Sequence, residues 1–175
     1  MNGIRSGSED SSLNILYLCA LFFGIIYMND IEFMSLALEE AKMAYENGEV
    51  PVGAVLVKDN QVISSSYNQK DLKNCAIFHA EIGCIMEASE KLENWRLLDC
   101  VLYVTMMPCP MCASAIAQSR IAKVVYGTVA NTNDVELVKK IFSNRSYGNT
   151  VDLVGGVLEE ETSNLVKDFF REKRS

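Results

Sequence analysis

The feature that most restricts how this chain can fold is its single histidine, in His79-Ala80-Glu81, which precedes the segment Pro108-Cys109-Pro110-Met111-Cys112. Any imidazole chemistry or metal ligation by imidazole has to use His79, because the chain has no second histidine. His79, Cys109 and Cys112 supply three zinc ligands, and a catalytic zinc site takes three protein ligands and keeps a fourth position for water. The fold is therefore expected to bring these three residues together.

Glu81 lies two residues after the histidine, where a carboxylate beside the metal can take a proton from water and pass it to a leaving group. Residues 79–91 have the periodicity of a helix, with Ile82, Ile85, Met86 and Ala88 as the predicted apolar face, which puts His79 and Glu81 in its first turn. Pro108 predicts the start of a second helix over 109–119, with both cysteines in the first turn. A helix N-terminus lowers the pKa of a thiol, and the thiolate is the form that binds metal.

Each half of this pattern has a simpler interpretation. An isolated histidine in an apolar stretch is more often a core residue, and Cys-x-x-Cys alone also occurs in redox motifs. A closed structural zinc site, with Cys75, Cys84 or Cys100 as the fourth ligand, is a further alternative. Together, however, His-x-Glu followed by Pro-Cys-x-x-Cys is the signature of zinc nucleobase deaminases.

The chain also resembles the bacterial tRNA-specific adenosine deaminases from about residue 31 to its C-terminus. Motifs in the same order and at similar spacing carry this resemblance: 49–57 (Glu-Val-Pro-Val-Gly-Ala-Val-Leu-Val), Asn68, 79–82 (His-Ala-Glu-Ile), 94–97 (Asn-Trp-Arg-Leu), 102–105 (Leu-Tyr-Val-Thr), 119–127 (Ser-Arg-Ile-Ala-Lys-Val-Val-Tyr-Gly) and 168–171 (Asp-Phe-Phe-Arg).

The resemblance implies the three-layer α/β cytidine-deaminase fold, a homodimer and one zinc ion per subunit. It also implies hydrolysis of adenosine to inosine at the wobble position of tRNA, with the anticodon arm as partner. Asn68 would bond to the base, the Ala80 backbone would help to hold it, and Val52 would line its pocket. The C-terminal run 167–174, which interleaves cations with Phe169 and Phe170, would help to hold RNA.

The expected chemistry has zinc on His79, Cys109 and Cys112, while Glu81 takes a proton from the attacking water and delivers protons to the ring nitrogen and the departing amine. The net charge of −7 argues mildly against a broad nucleic-acid surface, because phosphate binding needs clustered cations. A deaminase of free bases or nucleosides, of the guanine or cytosine type, is therefore an alternative.

Strand and helix signals alternate along the chain. A helix is predicted over 31–47, capped by Asp30, and a hairpin with strands 52–58 and 61–67 turns at Asp59-Asn60. Further strands are expected at 101–105 and 123–126, and further helices near 135–142 and 160–171. This order predicts a mixed central sheet with helices on both faces and parallel strands toward the C-terminal half.

We expect one deaminase domain over residues 28–175, with residues 1–27 as an extension from an upstream start codon, because Met28 begins the family-like region. Leu13 to Met28 is apolar but, at 16 residues, shorter than the ~20 that span a bilayer. The segment before it lacks a positive region typical of signal peptides. Six cysteines without a disulfide framework favour a reducing compartment, the cytoplasm.

Three segments depart from the family pattern. Met106-Met107 precede Pro108 where relatives commonly have Leu-Glu, and the loop at 74–78 reads Asn-Cys-Ala-Ile-Phe. After Gly127, residues 128–134 replace a glycine-rich segment that lies near the RNA in the family.

Overall fold

The computed structural model describes residues 27–130 and 135–174. The prediction for residues 1–27 lies outside the described residues except at Tyr27. Residues 131–134 of the divergent segment 128–134 also lie outside them.

Helices and strands alternate along the described chain. They run α1 (Asp30–Glu46), β1 (Gly53–Lys58), β2 (Gln61–Tyr67), α2 (Ala80–Lys91), β3 (Val101–Met106), α3 (Pro110–Gln118), β4 (Lys123–Thr128), α4 (Val135–Ser143), a 3-10 helix (Arg145–Tyr147), β5 (Asp152–Gly155) and α5 (Glu159–Glu172).

The strands form one mixed sheet in the order β2-β1-β3-β4-β5. β1 is antiparallel to β2 and β3, whereas β3, β4 and β5 are parallel. The β1–β2 hairpin turns at Asp59 and Asn60, which both have positive φ as expected for a tight two-residue turn. The predicted hairpin and the predicted parallel half of the sheet are confirmed.

Successive residues of the strands pack alternately into two separate hydrophobic cores, one on each face of the sheet. Ala54 and Leu56 of β1 face a core shared with α2, α3 and α4, whereas Val55 and Val57 face a core shared with α1. α5 packs beside β4 and α1. The molecule therefore has three layers, with helices on both faces of the sheet, and the predicted fold class is confirmed.

The predicted cap of α1 is wrong by one residue. Asn29 is the N-cap: its side chain accepts hydrogen bonds from the backbone N–H groups of Ile31 and Glu32, and the Glu32 carboxylate accepts from the Asn29 N–H. Asp30 lies in the first turn and instead accepts a 2.6 Å hydrogen bond from the Tyr103 hydroxyl. The reciprocal capping box satisfies more of the free N–H groups than Asp30 could.

The predicted apolar face of α2 is confirmed only in part: Ala88 is buried and Ile85 packs partly buried against the core. The helix buries Ala80, Cys84 and Ala88, while Met86 is 57% exposed. Small residues let α2 lie close to the sheet: at Gly83 an added Cβ would be 2.8 Å from the Ser66 Cβ. The sequence pattern pointed to the large side chains, but packing distance selects the small ones.

β5 was not predicted. Its burial pattern is mostly exposed, so it shows no clear alternation of apolar and polar residues; its parallel backbone pairing with β4 defines it. No helix within the described residues is both long and apolar enough to cross a membrane.

Candidate active site

The three predicted metal ligands meet at the start of two helices. His79 is the N-cap of α2 and Cys109 is the N-cap of α3, with extended backbone angles at both positions. Cys112 is the third residue of α3, and Pro110, rather than Pro108, occupies the first helical position. Both helices therefore direct their positive ends at the same point.

The ligand atoms are close enough to share one cation. His79 Nδ1 lies 3.8 Å from Cys109 Sγ and 3.5 Å from Cys112 Sγ, and the three donor atoms all lie within 4.8 Å of one another. Two sulfurs and one imidazole nitrogen are a donor set that suits zinc. Nδ1 is the histidine nitrogen that faces the sulfurs, and would be the ligand atom.

The parallel half of the sheet places this group. β3 ends at Met106, and the Met107 N–H donates a 2.8 Å hydrogen bond to the Thr128 carbonyl at the end of β4. The chain then enters α3 directly through Cys109. The group therefore lies beyond the carboxyl ends of adjacent parallel strands, where ligands bind in open α/β sheets.

The two cysteines are electrostatically unequal. The Cys112 thiol donates a hydrogen bond to Cys109, and this contact lowers the pKa of Cys109 to about 4. The same contact, together with burial, raises the pKa of Cys112. A divalent cation bound here would favour the thiolate form of both cysteines. The hydrogen bond to Cys109 also raises the pKa of His79.

Glu81, the predicted acid/base residue, is only 3% exposed. Burial raises the pKa of its carboxyl above the usual range, and the backbone N–H of the same residue opposes this with a smaller effect. A carboxyl with a raised pKa can both accept and release a proton near neutral pH.

A cavity of about 250 Å³ opens beside the ligand group. His79, Glu81 and Cys109 line it together with two of the predicted substrate residues, Asn68 and Val52. The third, Ala80, is the first residue of α2; it is fully buried, and its side chain belongs to the core.

Sequence reasoning missed the other residues of the cavity wall: Val50, Lys70, Met106, Met107 and Ala130. Val50 lies inside the motif 49–57, and the other four lie within three residues of a motif residue, so proximity along the chain was the signal for them. It also missed Glu49, a buried acid with 2% exposure whose carboxylate accepts a hydrogen bond from Asn68. The signal for Glu49 was a charge immediately before a run of apolar residues.

The remaining described cysteines lie outside the ligand group. Cys84 donates to the Ala54 carbonyl at 3.2 Å, and Cys100 lies 3.7 Å from the Leu98 carbonyl. Within residues 27–130 and 135–174, the metal-ligating group contains His79, Cys109 and Cys112 alone. No described cysteine therefore supports the alternative of a closed four-ligand site.

Comparison with known proteins leads to a family of deaminases. The family of MafB19-like deaminases matches residues 28–174. The tRNA-specific adenosine deaminase of Bacillus subtilis (strain 168) is 41% identical over 143 residues, which cover 81% of this chain and 89% of the relative. The chain belongs to the family of tRNA-specific adenosine deaminases.

Solved structures agree with this membership. A chain from a study of A-to-I editing by tRNA:A34 deaminases at the wobble position of transfer RNA superposes with a TM-score of 0.71 at 42% identity, covering 76% of this chain and 97% of that one. Guanine deaminase from Nitrosomonas europaea also superposes with a TM-score of 0.71, over 83% of this chain and 86% of that one. Its identity is 17%, so that likeness shows the fold alone.

Proposed function

We propose that this protein is a zinc-dependent hydrolytic deaminase that converts adenosine to inosine at the wobble position of tRNA. The observation that carries the proposal is the buried Glu81 carboxyl in one cavity with His79 and Cys109. Membership of the tRNA-specific adenosine deaminase family supports the choice of substrate.

His79, Cys109 and Cys112 would hold the zinc, one ion per subunit. When bound, zinc supplies a Lewis acid that makes water a competent nucleophile near neutral pH. Burial raises the pKa of Glu81, which favours its acceptance of a proton from the attacking water, and Glu81 delivers that proton to the ring nitrogen. It then takes the remaining proton from the hydroxyl group added at C6 and delivers it to the amino group, which leaves as ammonia.

The walls of the cavity would hold the base. Asn68 supplies hydrogen-bonding groups, Val52 an apolar contact and the Ala80 backbone a further polar contact beside Glu81. Within the cavity such groups fix the orientation of the ring, which converts attack on C6 into an effectively unimolecular step.

A groove beside the cavity supports a polynucleotide substrate. The groove shares Val50, Met106 and Ala130 with the cavity. It extends to Lys167 and Phe170 of α5 and to Arg174, which follows the helix; Phe170 is 43% exposed. Cations beside an exposed aromatic ring suit a nucleic-acid chain, because phosphates bind the cations and bases stack on the ring. The acidic net charge of the chain is compatible with this local patch.

The decisive experiment incubates the zinc-loaded full chain with tRNA carrying adenosine at the wobble position. Parallel reactions contain free adenine, guanine, cytosine and their nucleosides, and inosine and ammonia are measured in each. Inosine at the wobble position, absent with Glu81→Gln, would support the proposal. Ammonia from a free base or nucleoside alone would instead establish the alternative of a metabolic deaminase.

We further propose a cytoplasmic homodimer. The exposed Met86 on α2 gives a second copy an apolar contact, and free thiols at all the described cysteines suit a reducing compartment. Light scattering of the zinc-loaded protein tests the dimer, because a mass equal to that of one chain would contradict it. Fractionation of the native host tests the compartment.

A further inference from the structure

Glu49 is a buried acid outside the proposed ligand and acid/base groups. It lies in the loop between α1 and β1, next to Val50 of the cavity wall, and is 2% exposed. A buried carboxylate is costly unless hydrogen bonds satisfy it. The partners that satisfy Glu49 should therefore show what it does.

Both carboxylate oxygens of Glu49 accept hydrogen bonds from residues near the cavity. The backbone N–H of Leu72 donates to Oε1 at 2.7 Å, and Nδ2 of Asn68 donates to Oε2 at 3.1 Å. Asn68 is itself buried, and its backbone N–H donates to the Val52 carbonyl. Glu49 thus ties the side chain of Asn68 to the loop that follows it.

These contacts fix the direction of the Asn68 amide. An ionised carboxylate has only acceptors, whereas a side-chain amide has a donor end and an acceptor end. The donor end of Asn68 must therefore face Glu49, so the carbonyl Oδ1 points away from it. The NH2 group and the oxygen of an amide are similar in size, so without an acceptor at Glu49 packing alone would distinguish poorly between the two orientations of Asn68.

We propose that Glu49 is a positioning residue that determines which end of the Asn68 amide meets the substrate. The inference rests on the proposed function in one respect, that a base occupies the cavity lined by Asn68. Glu49 then contributes to base specificity through Asn68, without touching the base.

The substitution Glu49→Gln should reverse the Asn68 amide. The Leu72 backbone N–H cannot turn over, so the Gln side chain keeps its oxygen toward Leu72 and directs its NH2 group at Asn68. Two donor groups would then face each other, and rotation of the Asn68 amide by half a turn relieves this conflict. The cavity would now meet the opposite end of the amide, although the change in volume is negligible.

A double-mutant cycle separates this role from general support of the fold. With Asn68 present, Glu49→Gln should lower kcat/KM about 10- to 100-fold, the range expected when a site presents the wrong hydrogen-bonding group to its substrate. In an Asn68→Ala background the same substitution should change kcat/KM by less than about 2-fold, because the group through which it acts is gone. Equal losses in both backgrounds would overturn the proposal.

Glu40→Gln is the matched control. Glu40 is a partly buried acid that accepts a 2.6 Å hydrogen bond from the Ser65 hydroxyl, and it does not line the cavity. The same chemical change there should leave kcat/KM within about 2-fold of that of the unsubstituted protein. A loss as large as that of Glu49→Gln would attribute the effect to buried acids in general and contradict the proposal.

A second measurement is independent of turnover. In full chain labelled with ¹⁵N at asparagine, the Asn68 side-chain NH2 signals, assigned by their loss in Asn68→Ala, should shift in Glu49→Gln and stay in place in Glu40→Gln. Unchanged Asn68 signals in Glu49→Gln would refute the reorientation. If the unsubstituted protein deaminates only a free base or nucleoside, the proposed function fails, and the cycle and the NMR measurement still test Glu49 on that substrate.

Discussion

Substitution of Gly83 by alanine should damage the active site although Gly83 is not one of its groups. A Cβ at this position would be 2.8 Å from the Ser66 Cβ and 2.1 Å from its Oγ. A change of the Ser66 rotamer can move the hydroxyl, but the Cβ stays in place. Carbon atoms pack at about 3.5–4.0 Å, so α2 would have to move away from β2 by roughly 1 Å.

This displacement has a cost in both stability and rate. Overpacking of a well-packed site costs about 1–3 kcal/mol, and 1 kcal/mol corresponds to about 2–4 °C in Tm for a domain of this size. We therefore expect Gly83→Ala to lower Tm by about 2–12 °C. His79 is the N-cap of α2 and Glu81 lies in its first turn, and a misplacement of 1 Å in a catalytic site can cost about 100-fold in rate.

The measurements are thermal unfolding by circular dichroism, zinc content, and kcat on the substrate that the deamination experiment identifies. Ser66→Gly is the compensating change, because it removes both atoms that the new methyl group would meet. Ser66 offers only a weak hydrogen bond, 3.4 Å to the Tyr67 carbonyl, so its loss costs little. The double variant should therefore recover most of the Tm and most of the rate.

Two results would refute this reasoning. If Gly83→Ala left Tm and kcat unchanged, the close approach of α2 to β2 would be wrong. If Ser66→Gly failed to restore either quantity, the methyl group would be acting on something other than Ser66.

Three further predictions concern the proposed chemistry and the sheet. Glu81→Gln should retain zinc by elemental analysis and lose at least about 10²- to 10⁴-fold in kcat, because the acid/base group is removed; kcat within a few-fold of the original would place the base elsewhere. Metal removal by a chelator should abolish turnover and allow iodoacetamide to alkylate Cys109 at pH 6, since the pKa of this thiol is about 4. Cys84 should react slowly, because burial raises the pKa of its thiol. Peptide mass spectrometry measures the alkylation of both cysteines, and equal labelling would contradict the assignment of Cys109 as a metal ligand with a lowered pKa. Tyr103→Phe should lower the free energy of unfolding by about 1.5 kcal/mol at pH 8 through loss of the hydrogen bond to Asp30. Burial and Asp30 raise the Tyr103 pKa, so the hydroxyl contributes fully to the free energy of unfolding below pH 10 and less above it. The difference in the free energy of unfolding between Tyr103→Phe and the unsubstituted protein, measured in urea, should therefore become smaller above pH 10. A difference that stays constant would contradict the raised pKa.

Features that depend on neighbouring residues in the sequence could be predicted, whereas features that depend on contacts between distant segments of the chain could not. The Asp59-Asn60 turn and the helix starts at His79 and Cys109 depend on local backbone preferences, which a sequence displays directly. The buried face of α2 depends on how closely the helix approaches β2, and Gly83 shows this only once the sheet is in place.

The same limit applies within the cavity. The partners of Glu49 lie 19 and 23 residues away along the chain, so its sequence position could not show that a buried carboxylate faces the Asn68 amide. β5 escaped prediction for a related reason, because its backbone pairing with β4 defines it more than its side chains do. Motifs revealed the reacting groups, but the groups that hold them needed the three-dimensional arrangement.

The origin of the cavity wall has a consequence for how such proteins can diversify. The proposed reacting groups are held at the first turns of α2 and α3, whereas the wall comes from segments that flank the strands, including Val50 and Val52 before β1 and Asn68 and Lys70 after β2. Substitutions in those flanking segments can alter which molecule is accepted and leave the hydrolytic machinery intact. A designer seeking a new deaminase specificity would therefore randomise the wall and leave both helix starts untouched.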